Sequence, residues 1–185
     1  MDRRLVLPLG FALAASVVAG CSESGDPVDE PTESLPWQTE SSSAAEVELT
    51  PDEAAVAVFE AYWQAISEAA AIPDPEYAVL PDVASEQALD GAIAMIQEQV
   101  DEGTRADGVI TLSDTTVVER TPEDQPTQIV IESCVDTSTA VIVDIESGTP
   151  VSDATYGRRY AKAVVLLDDD RWYVRAIHTE EVGTC

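Results

Sequence analysis

Two apolar runs near the C-terminus, YAKAVVLL at residues 160–167 and WYVRAI at residues 172–177, decide the fold class of this chain. Both runs are rich in β-branched and aromatic residues, which favour β-strands. The acidic segment DDDR at residues 168–171 separates them in the manner of a tight turn. The sequence therefore predicts a hairpin of two long antiparallel strands that ends close to the last residue, Cys185.

The second strand of this hairpin has two faces, and neither is fully polar. Strict alternation assigns Trp172, Val174, Ala176 and His178 to one face, and Tyr173, Arg175, Ile177 and Thr179 to the other. Because apolar side chains occur on both faces, we expect both to be covered at least in part. The face with Tyr173, Arg175 and Ile177 would suit the pairing of two copies, which makes a homodimer through the sheet one expected partner arrangement.

Helices are predicted upstream of the strands. The segment TPDE at residues 50–53 combines an N-cap Thr, a Pro at the first helical position and a Glu three residues after the cap, so a helix is expected to begin there and to end before Pro73. A piece of one or two turns at residues 75–80 and a further helix that ends at Gly103 follow. The apolar faces of the two long helices are predicted to consist of Val56, Phe59, Trp63, Ile66 and Ala70, and of Leu89, Ile93, Ile96 and Val100.

After Gly103 the pattern changes to that of strands, at residues 109–120, 128–136 and 140–145. Helices followed by about five antiparallel strands indicate an α+β domain over residues 49–185, in which N-terminal helices pack on a strongly curved antiparallel sheet.

The charge of the chain is extreme. Its 185 residues contain 9 Lys and Arg against 36 Asp and Glu, a formal net charge of -27. Such a surface repels phosphate backbones and anionic headgroups, which argues against nucleic acid and against direct electrostatic binding to a membrane. A solvated acidic surface is the ordinary interpretation, and a surface that collects cations is the alternative. The consecutive aspartates at 168–170 lack the spaced ligands of a calcium loop, so neither a metal site nor a cofactor is predicted.

The N-terminus has the features of a targeting segment. Arg3 and Arg4 precede an apolar stretch at residues 5–18, and the segment closes with VAGC at 18–21, which resembles the lipobox of bacterial lipoproteins. The resemblance implies a signal peptide at residues 1–20, a lipid on Cys21, and a place on the extracytoplasmic face of the cell membrane. The alternative is an ordinary secretory signal with an incidental cysteine.

Residues 21–48, rich in Ser, Pro and acidic side chains, are predicted to form a disordered tether between the lipid and the folded domain. Two further cysteines, Cys134 and Cys185, lie in the predicted domain. Outside the cytoplasm disulfides persist, so we expect a bond between them. The alternative, a reactive thiol, has neither a CxxC spacing nor a basic neighbour to support it.

Several features together resemble small exported lipoproteins of actinobacteria that belong to the nuclear transport factor 2-like superfamily. They are the capped first helix with Phe59, Tyr62 and Trp63, and the segments SCVD at 133–136, GTPV at 148–151, WYV at 172–174 and VGTC at 182–185. The likeness covers residues 50–185. One position departs from it: Ser133 precedes the cysteine where an Asp is more usual. The resemblance implies a cone-shaped α+β domain that encloses a pocket, and it implies no particular reaction.

Candidate pocket residues follow from this expected cone. Tyr62 and Trp63 could line the cavity from the first helix, although an aromatic pair at helical spacing is more commonly part of a core. His178 could act as a base if it points inward, and the alternative is a partly exposed histidine at a strand end. We expect a non-enzymatic binding or accessory module of the cell envelope, with an envelope protein or a small apolar molecule as its partner. The alternatives are an enzyme of the isomerase or dehydratase type that works by proton transfer, and a structural spacer without a ligand.

Overall fold

The computed structural model describes residues 49–151 and 156–185. The predicted signal peptide, Cys21 and the predicted tether lie outside these residues. Within the described part the chain forms three helices and six strands. They are α1 (Pro51–Ala71), α2 (Leu80–Val83), α3 (Glu86–Glu102), β1 (Thr104–Asp107), β2 (Thr111–Thr121), β3 (Gln128–Asp136), β4 (Val141–Asp144), β5 (Arg158–Asp168) and β6 (Arg171–Thr179).

Helix α1 begins where the sequence predicts, because Thr50 and Glu53 form a capping box. The Glu53 N–H donates to the Thr50 hydroxyl at 3.3 Å, and the Thr50 N–H donates to the Glu53 carboxylate at 2.8 Å. The helix ends before Pro73, which cannot continue it. Phe59, Ile66 and Ala70 of the predicted stripe are buried, together with four neighbours on the same side: Ala55, Tyr62, Ala65 and Ala69.

Helix α3 buries Ile96 of the predicted stripe, but its other buried residues differ from those predicted. Its buried residues are Ala88, Ala92, Ile96 and Gln99, whereas Val100 is 42% exposed. Alanines let α3 approach its neighbours closely, so the larger aliphatic side chains on either side of this stripe remain partly outside. Gly103, with φ 66°, ends the helix as predicted, because its backbone adopts the left-handed conformation that favours glycine.

Four strands form the main sheet of the described residues, in the order β2-β3-β5-β6 with every neighbouring pair antiparallel. Strands β1 and β4 form a separate two-stranded antiparallel sheet. The terminal hairpin is present, and Asp169 and Asp170 at its tip have φ values of 46° and 61°. Positive φ at two consecutive turn residues is typical of the tight turns that join twisted strands, and Asp tolerates it better than most residues.

The core lies between the helices and one face of the main sheet. The fully buried residues on that face include Ile129, Ile131, Ala163, Val165 and Val174. They pack in one cluster with residues of all three helices, among them Phe59, Leu80 and Ile96. The predicted fold class, α+β with N-terminal helices on a curved antiparallel sheet, is therefore confirmed. No helix in the described part of the chain has the length and the apolar character that a membrane span requires.

One ion pair fastens the start of α1 to the sheet. The Arg120 Nε on β2 donates to the Asp52 carboxylate at 2.8 Å, and this hydrogen bond from the guanidinium lowers the pKa of Asp52 below its usual 3.8. Both side chains are partly exposed, at 39% and 35%, so solvent screens the attraction. We expect Asp52→Asn to lower the free energy of unfolding by no more than about 1 kcal/mol at neutral pH.

The pH dependence of this difference in unfolding free energy follows from the direction in which the pKa of Asp52 is shifted. A lowered folded-state pKa means that the stabilisation is present above about pH 3.8 and is lost as the pH falls through the lowered value. The stability curves of the parent and the variant should therefore converge in acid. Asp90→Asn, on the exposed side of α3, controls for the loss of one negative charge from a chain of net charge -27. A difference that persists unchanged down to the lowest pH at which both proteins remain folded would contradict the assignment.

Candidate functional site: a cavity between the helices and the two sheets

A cavity of about 280 Å³ lies under α1 and α3, and it is partly open to solvent. Its volume is roughly twice that of an engineered cavity of about 150 Å³ that holds benzene in another protein, so it has room for a molecule of about two fused rings. Three parts of the fold meet around it: the helices, the β1–β4 sheet and the end of the main sheet.

Apolar side chains make up most of the lining. The helices contribute Trp63, Ile66, Ser67, Ala70, Met95 and Gln99; the small sheet and the segments around it contribute Ala106, Gly108, Ile110, Thr137, Ala140, Ile142 and Tyr156; the main sheet contributes Val135, Arg159 and Thr179. Polar groups are few and come from separate elements. A small, mainly apolar molecule with a limited number of polar groups is the ligand that such a lining suits best.

Gly108 allows two segments of the cavity wall to approach each other closely. A side chain at this position would overlap the backbone carbonyl of Thr139, and the φ of Gly108 is 117°. Both the space and the backbone conformation therefore require glycine here. The segment that follows β1 can then pass close to the loop before β4, and the small sheet closes one side of the cavity.

Trp63 is the predicted pocket residue that does line the cavity. It is half-buried on α1, and its ring makes edge-to-face contacts with Phe59 and Tyr62, with centroids 6.5 and 5.6 Å apart. These contacts hold the indole in place from the core side. A second depression, lined in part by Glu60, Gln64 and Glu68, shares Trp63 with the cavity, so Trp63 lies where the cavity meets the surface of α1.

Tyr62 does not line the cavity; it belongs to the core. It is 3% exposed, and its hydroxyl donates to the carbonyl of Ala88 at 3.4 Å, which joins α1 to α3. Burial raises the pKa of Tyr62 to about 12, so the phenol stays neutral at physiological pH. The core interpretation of this residue, rather than the pocket interpretation, agrees with the structure.

His178 does not line the cavity either, and the reason is a β-bulge. In the pairing of β5 with β6, Val165 lies opposite Val174 and Val164 lies opposite Ala176, which leaves Arg175 as an extra residue. One extra residue reverses which face the following side chains occupy. Beyond the bulge His178 lies opposite Lys162 and is exposed, while Thr179 lies opposite the buried Ala161 and lines the cavity.

The same bulge corrects the predicted faces of β6. Ile177 packs against the core together with Trp172, whereas Arg175 binds Glu86 of α3 through a hydrogen bond of 2.8 Å. Tyr173, Arg175 and Ile177 therefore do not form one free face for a second copy. A homodimer through the sheet stays a prediction, without these three residues as its surface.

Cys134 and Cys185 are joined by a disulfide, as the sequence predicts, with their Cα atoms 6.0 Å apart. Cys134 lies on the side of β3 that faces away from the cavity, and the next residue, Val135, lines it. Ser133, the position that departs from the family pattern, is buried, and its hydroxyl lies 2.9 Å from the hydroxyl of Thr115 on β2. The disulfide between Cys134 and Cys185 thus secures the end of the main sheet that forms the floor of the cavity.

Gln99 is one of the cavity residues that the sequence prediction missed. It is 7% exposed, and it lies on the buried stripe of α3 that Ala88, Ala92 and Ile96 define. The spacing of four, four and three residues between these buried positions is the signal that could have identified it. The predicted stripe instead used Leu89, Ile93 and Val100, each of which follows a buried residue by one position.

The ionisable side chains of the described lining are those of Tyr156 and Arg159. The Tyr156 hydroxyl is engaged with β4: it accepts from the Ile142 N–H at 2.7 Å and donates to the Ile142 carbonyl at 3.3 Å. Across residues 49–151 and 156–185 no three His, Cys, Asp or Glu side chains are grouped so as to hold a metal ion. The arrangement can therefore enclose an apolar molecule, and it offers polar contacts at a few defined places.

Comparison with known proteins gives information about the fold alone. No family model matches the sequence, and no curated protein matches it. Among solved structures the chain is similar to the intermembrane-space region of the chloroplast protein ARC6, with a TM-score of 0.51, 16% sequence identity, and coverage of 71% of this chain and 98% of that one. This similarity agrees with the α+β fold described above.

Two further solved structures are more distantly similar. One is a protein of unknown function with a cystatin-like fold from Nostoc punctiforme, with a TM-score of 0.42, 14% identity, and coverage of 75% of this chain and 99% of that one. The other is an NTF-2-like protein of unknown function from Shewanella oneidensis, with a TM-score of 0.39, 13% identity, and coverage of 68% and 98%.

Proposed function

We propose that the protein is a lipid-anchored module on the extracytoplasmic face of the cell membrane, and that its folded domain binds a small, mainly apolar molecule in the cavity. In this proposal the domain is a binding or accessory component of the cell envelope and carries out no reaction. The observation that supports it is the cavity itself, a partly open space of about 280 Å³ with a predominantly apolar lining.

The alternative of catalysis by proton transfer has less support. Such an enzyme needs a base within hydrogen-bond reach of its substrate, most commonly a histidine or a carboxylate. His178 lies on the opposite face of the sheet, and the described lining contains no carboxylate. Tyr156 is held by the backbone of β4, and nothing in the lining favours a role for it as a base.

The first test uses the full chain, expressed in a bacterium and purified from membranes in mild detergent. Mass spectrometry of the intact protein should show a chain that begins at Cys21 and carries a diacylglycerol, and Cys21→Ala should remove the lipid and release the protein from membranes. A wild-type chain without lipid would refute the anchored part of the proposal, whatever the cavity does.

The second test addresses the cavity and uses naphthalene as a neutral probe of two fused rings. Ala70→Leu adds bulk at the cavity wall, whereas Ala57→Leu adds the same atoms on the exposed side of α1. We expect the first variant to weaken naphthalene binding at least about tenfold and the second to leave it unchanged, because a filled cavity cannot admit the ring. Failure of the wild-type protein to bind naphthalene would refute the proposal.

A further inference from the structure

Met95 is the methionine of the folded domain, and it contributes to the wall of the cavity. The chain contains two methionines, and the other, Met1, belongs to the predicted signal peptide. Met95 lines the cavity from α3, and it is also 40% exposed to solvent. The residue therefore contacts both the apolar interior of the cavity and the surrounding water, so a small solute can reach it while the domain stays folded.

The position of Met95 on α3 explains this double contact. The buried residues of the helix include Ala92, Ile96 and Gln99. Met95 lies directly before Ile96 and one helical turn before Gln99, which also lines the cavity. Met95 is thus next to the buried stripe, on the side of the helix between the core and the solvent. Its unbranched thioether side chain is well suited to contact an apolar ligand of irregular shape.

A thioether in this position is open to oxidation. The two cysteine sulfurs of the domain are already joined in the Cys134–Cys185 disulfide, so Met95 carries the reduced sulfur of the described residues. Hydrogen peroxide converts a thioether to a sulfoxide. The sulfur attacks one peroxide oxygen, and a sulfur–oxygen bond forms as the oxygen–oxygen bond breaks. The second oxygen takes up the proton of the first and leaves as water, so the sulfur loses two electrons and the peroxide gains them.

We propose that Met95 is an oxidation site at which peroxides lower the affinity of the cavity for its apolar ligand. The sulfoxide is polar, and it is unfavourable against an apolar lining where it has no hydrogen-bond partner. If the sulfoxide turns to the solvent instead, the ligand loses the apolar contact that the thioether made. Both orientations weaken binding. The inference rests on the proposed binding function and adds to it a control by oxidants, to which a domain on the extracytoplasmic face would be open.

The test measures naphthalene binding to the full chain before and after treatment with hydrogen peroxide, and mass spectrometry of proteolytic peptides identifies the oxidised residue. Conversion of Met95 to the sulfoxide should weaken binding at least about fivefold. Methionine sulfoxide reductases A and B together should restore the affinity, since each reduces one epimer of the sulfoxide. Unchanged affinity after complete conversion would overturn the inference and leave the proposed function standing. No binding of naphthalene to the untreated protein would refute the proposed function, and this inference with it.

Two variants test whether the effect arises at the cavity. Met95→Leu removes the thioether, so peroxide should not change its affinity for naphthalene, whatever that affinity is before treatment. Adding Gln97→Met to this variant supplies a methionine on the exposed side of α3, away from the lining of the cavity. The double variant should form the sulfoxide and still bind naphthalene as tightly as before treatment. A loss of affinity in either variant on oxidation would show that the assignment to Met95 is wrong.

Discussion

Replacing both Cys134 and Cys185 by alanine is expected to lower the free energy of unfolding by about 4 kcal/mol. The two residues are 51 positions apart, and the chain-entropy model assigns about this value to the closure of such a loop. A typical domain has a total stability of only about 5–15 kcal/mol, so the double variant would lose a large part of it.

The position of the bond explains why so much depends on it. Beyond β6 the chain continues beside β5, where the Gly183 N–H donates to the Arg158 carbonyl at 2.7 Å and the Tyr160 N–H donates to the Thr184 hydroxyl at 2.9 Å. Cys185 then reaches across β5 to Cys134 on β3. The disulfide therefore joins the end of the chain to β3, an inner strand of the main sheet, and without it only a few exposed hydrogen bonds would hold the last residues.

Urea denaturation of the wild-type chain, with and without reductant, and of the double variant gives the measurement. The reduced wild type and the variant should unfold at similar, lower urea concentrations than the oxidised protein. Alkylation of the denatured, unreduced protein provides the control, since neither cysteine should react. Superimposable curves for all three samples, or modification of both Cys134 and Cys185 before reduction, would contradict the prediction.

The parts of the fold that the sequence predicts correctly are those with strong local signals. The capping box at Thr50, the left-handed stop at Gly103 and the apolar run of β3 each depend on a few adjacent residues, and each occurs in the structure at the predicted place. The disulfide is a similar case, because only two cysteines lie in the predicted domain. Local chemistry decides these features, and tertiary packing does not override them.

The features that the sequence does not reveal depend on contacts between distant segments. Strand β1 has the sequence TRAD, without an apolar run, and it pairs with β4 some 40 residues away in the register Thr104 to Asp144. The bulge at Arg175 leaves no mark in an alternating pattern, yet it turns His178 to the outside and Thr179 to the cavity. The cavity brings together such separate elements, so only its helical wall could be predicted in part, through Trp63.

Phe59→Ala is expected to be the most destabilising single substitution considered, with a loss of about 3–5 kcal/mol in the free energy of unfolding. Phe59 has 0% exposure and lies in the core cluster between α1 and the main sheet, in contact with the ring of Trp63. Truncation removes a large buried surface and leaves a void that the rigid sheet below cannot close. Ile72→Ala, at a residue that is 80% exposed, is the control for loss of apolar atoms and should change stability by less than about 0.5 kcal/mol.

The same substitution separates the stability of the domain from the shape of its cavity. Phe59 does not line the cavity, but it supports Trp63, which does. At a temperature where the variant is still folded, we expect naphthalene to bind more weakly, since the indole loses its edge-to-face neighbour and no longer holds one position. Phe59→Leu fills most of the void and should recover most of the stability, yet it cannot restore the aromatic contact. A leucine variant with full stability and reduced affinity would show that Phe59 positions Trp63, whereas unchanged affinity in both variants would show that the cavity wall does not depend on it.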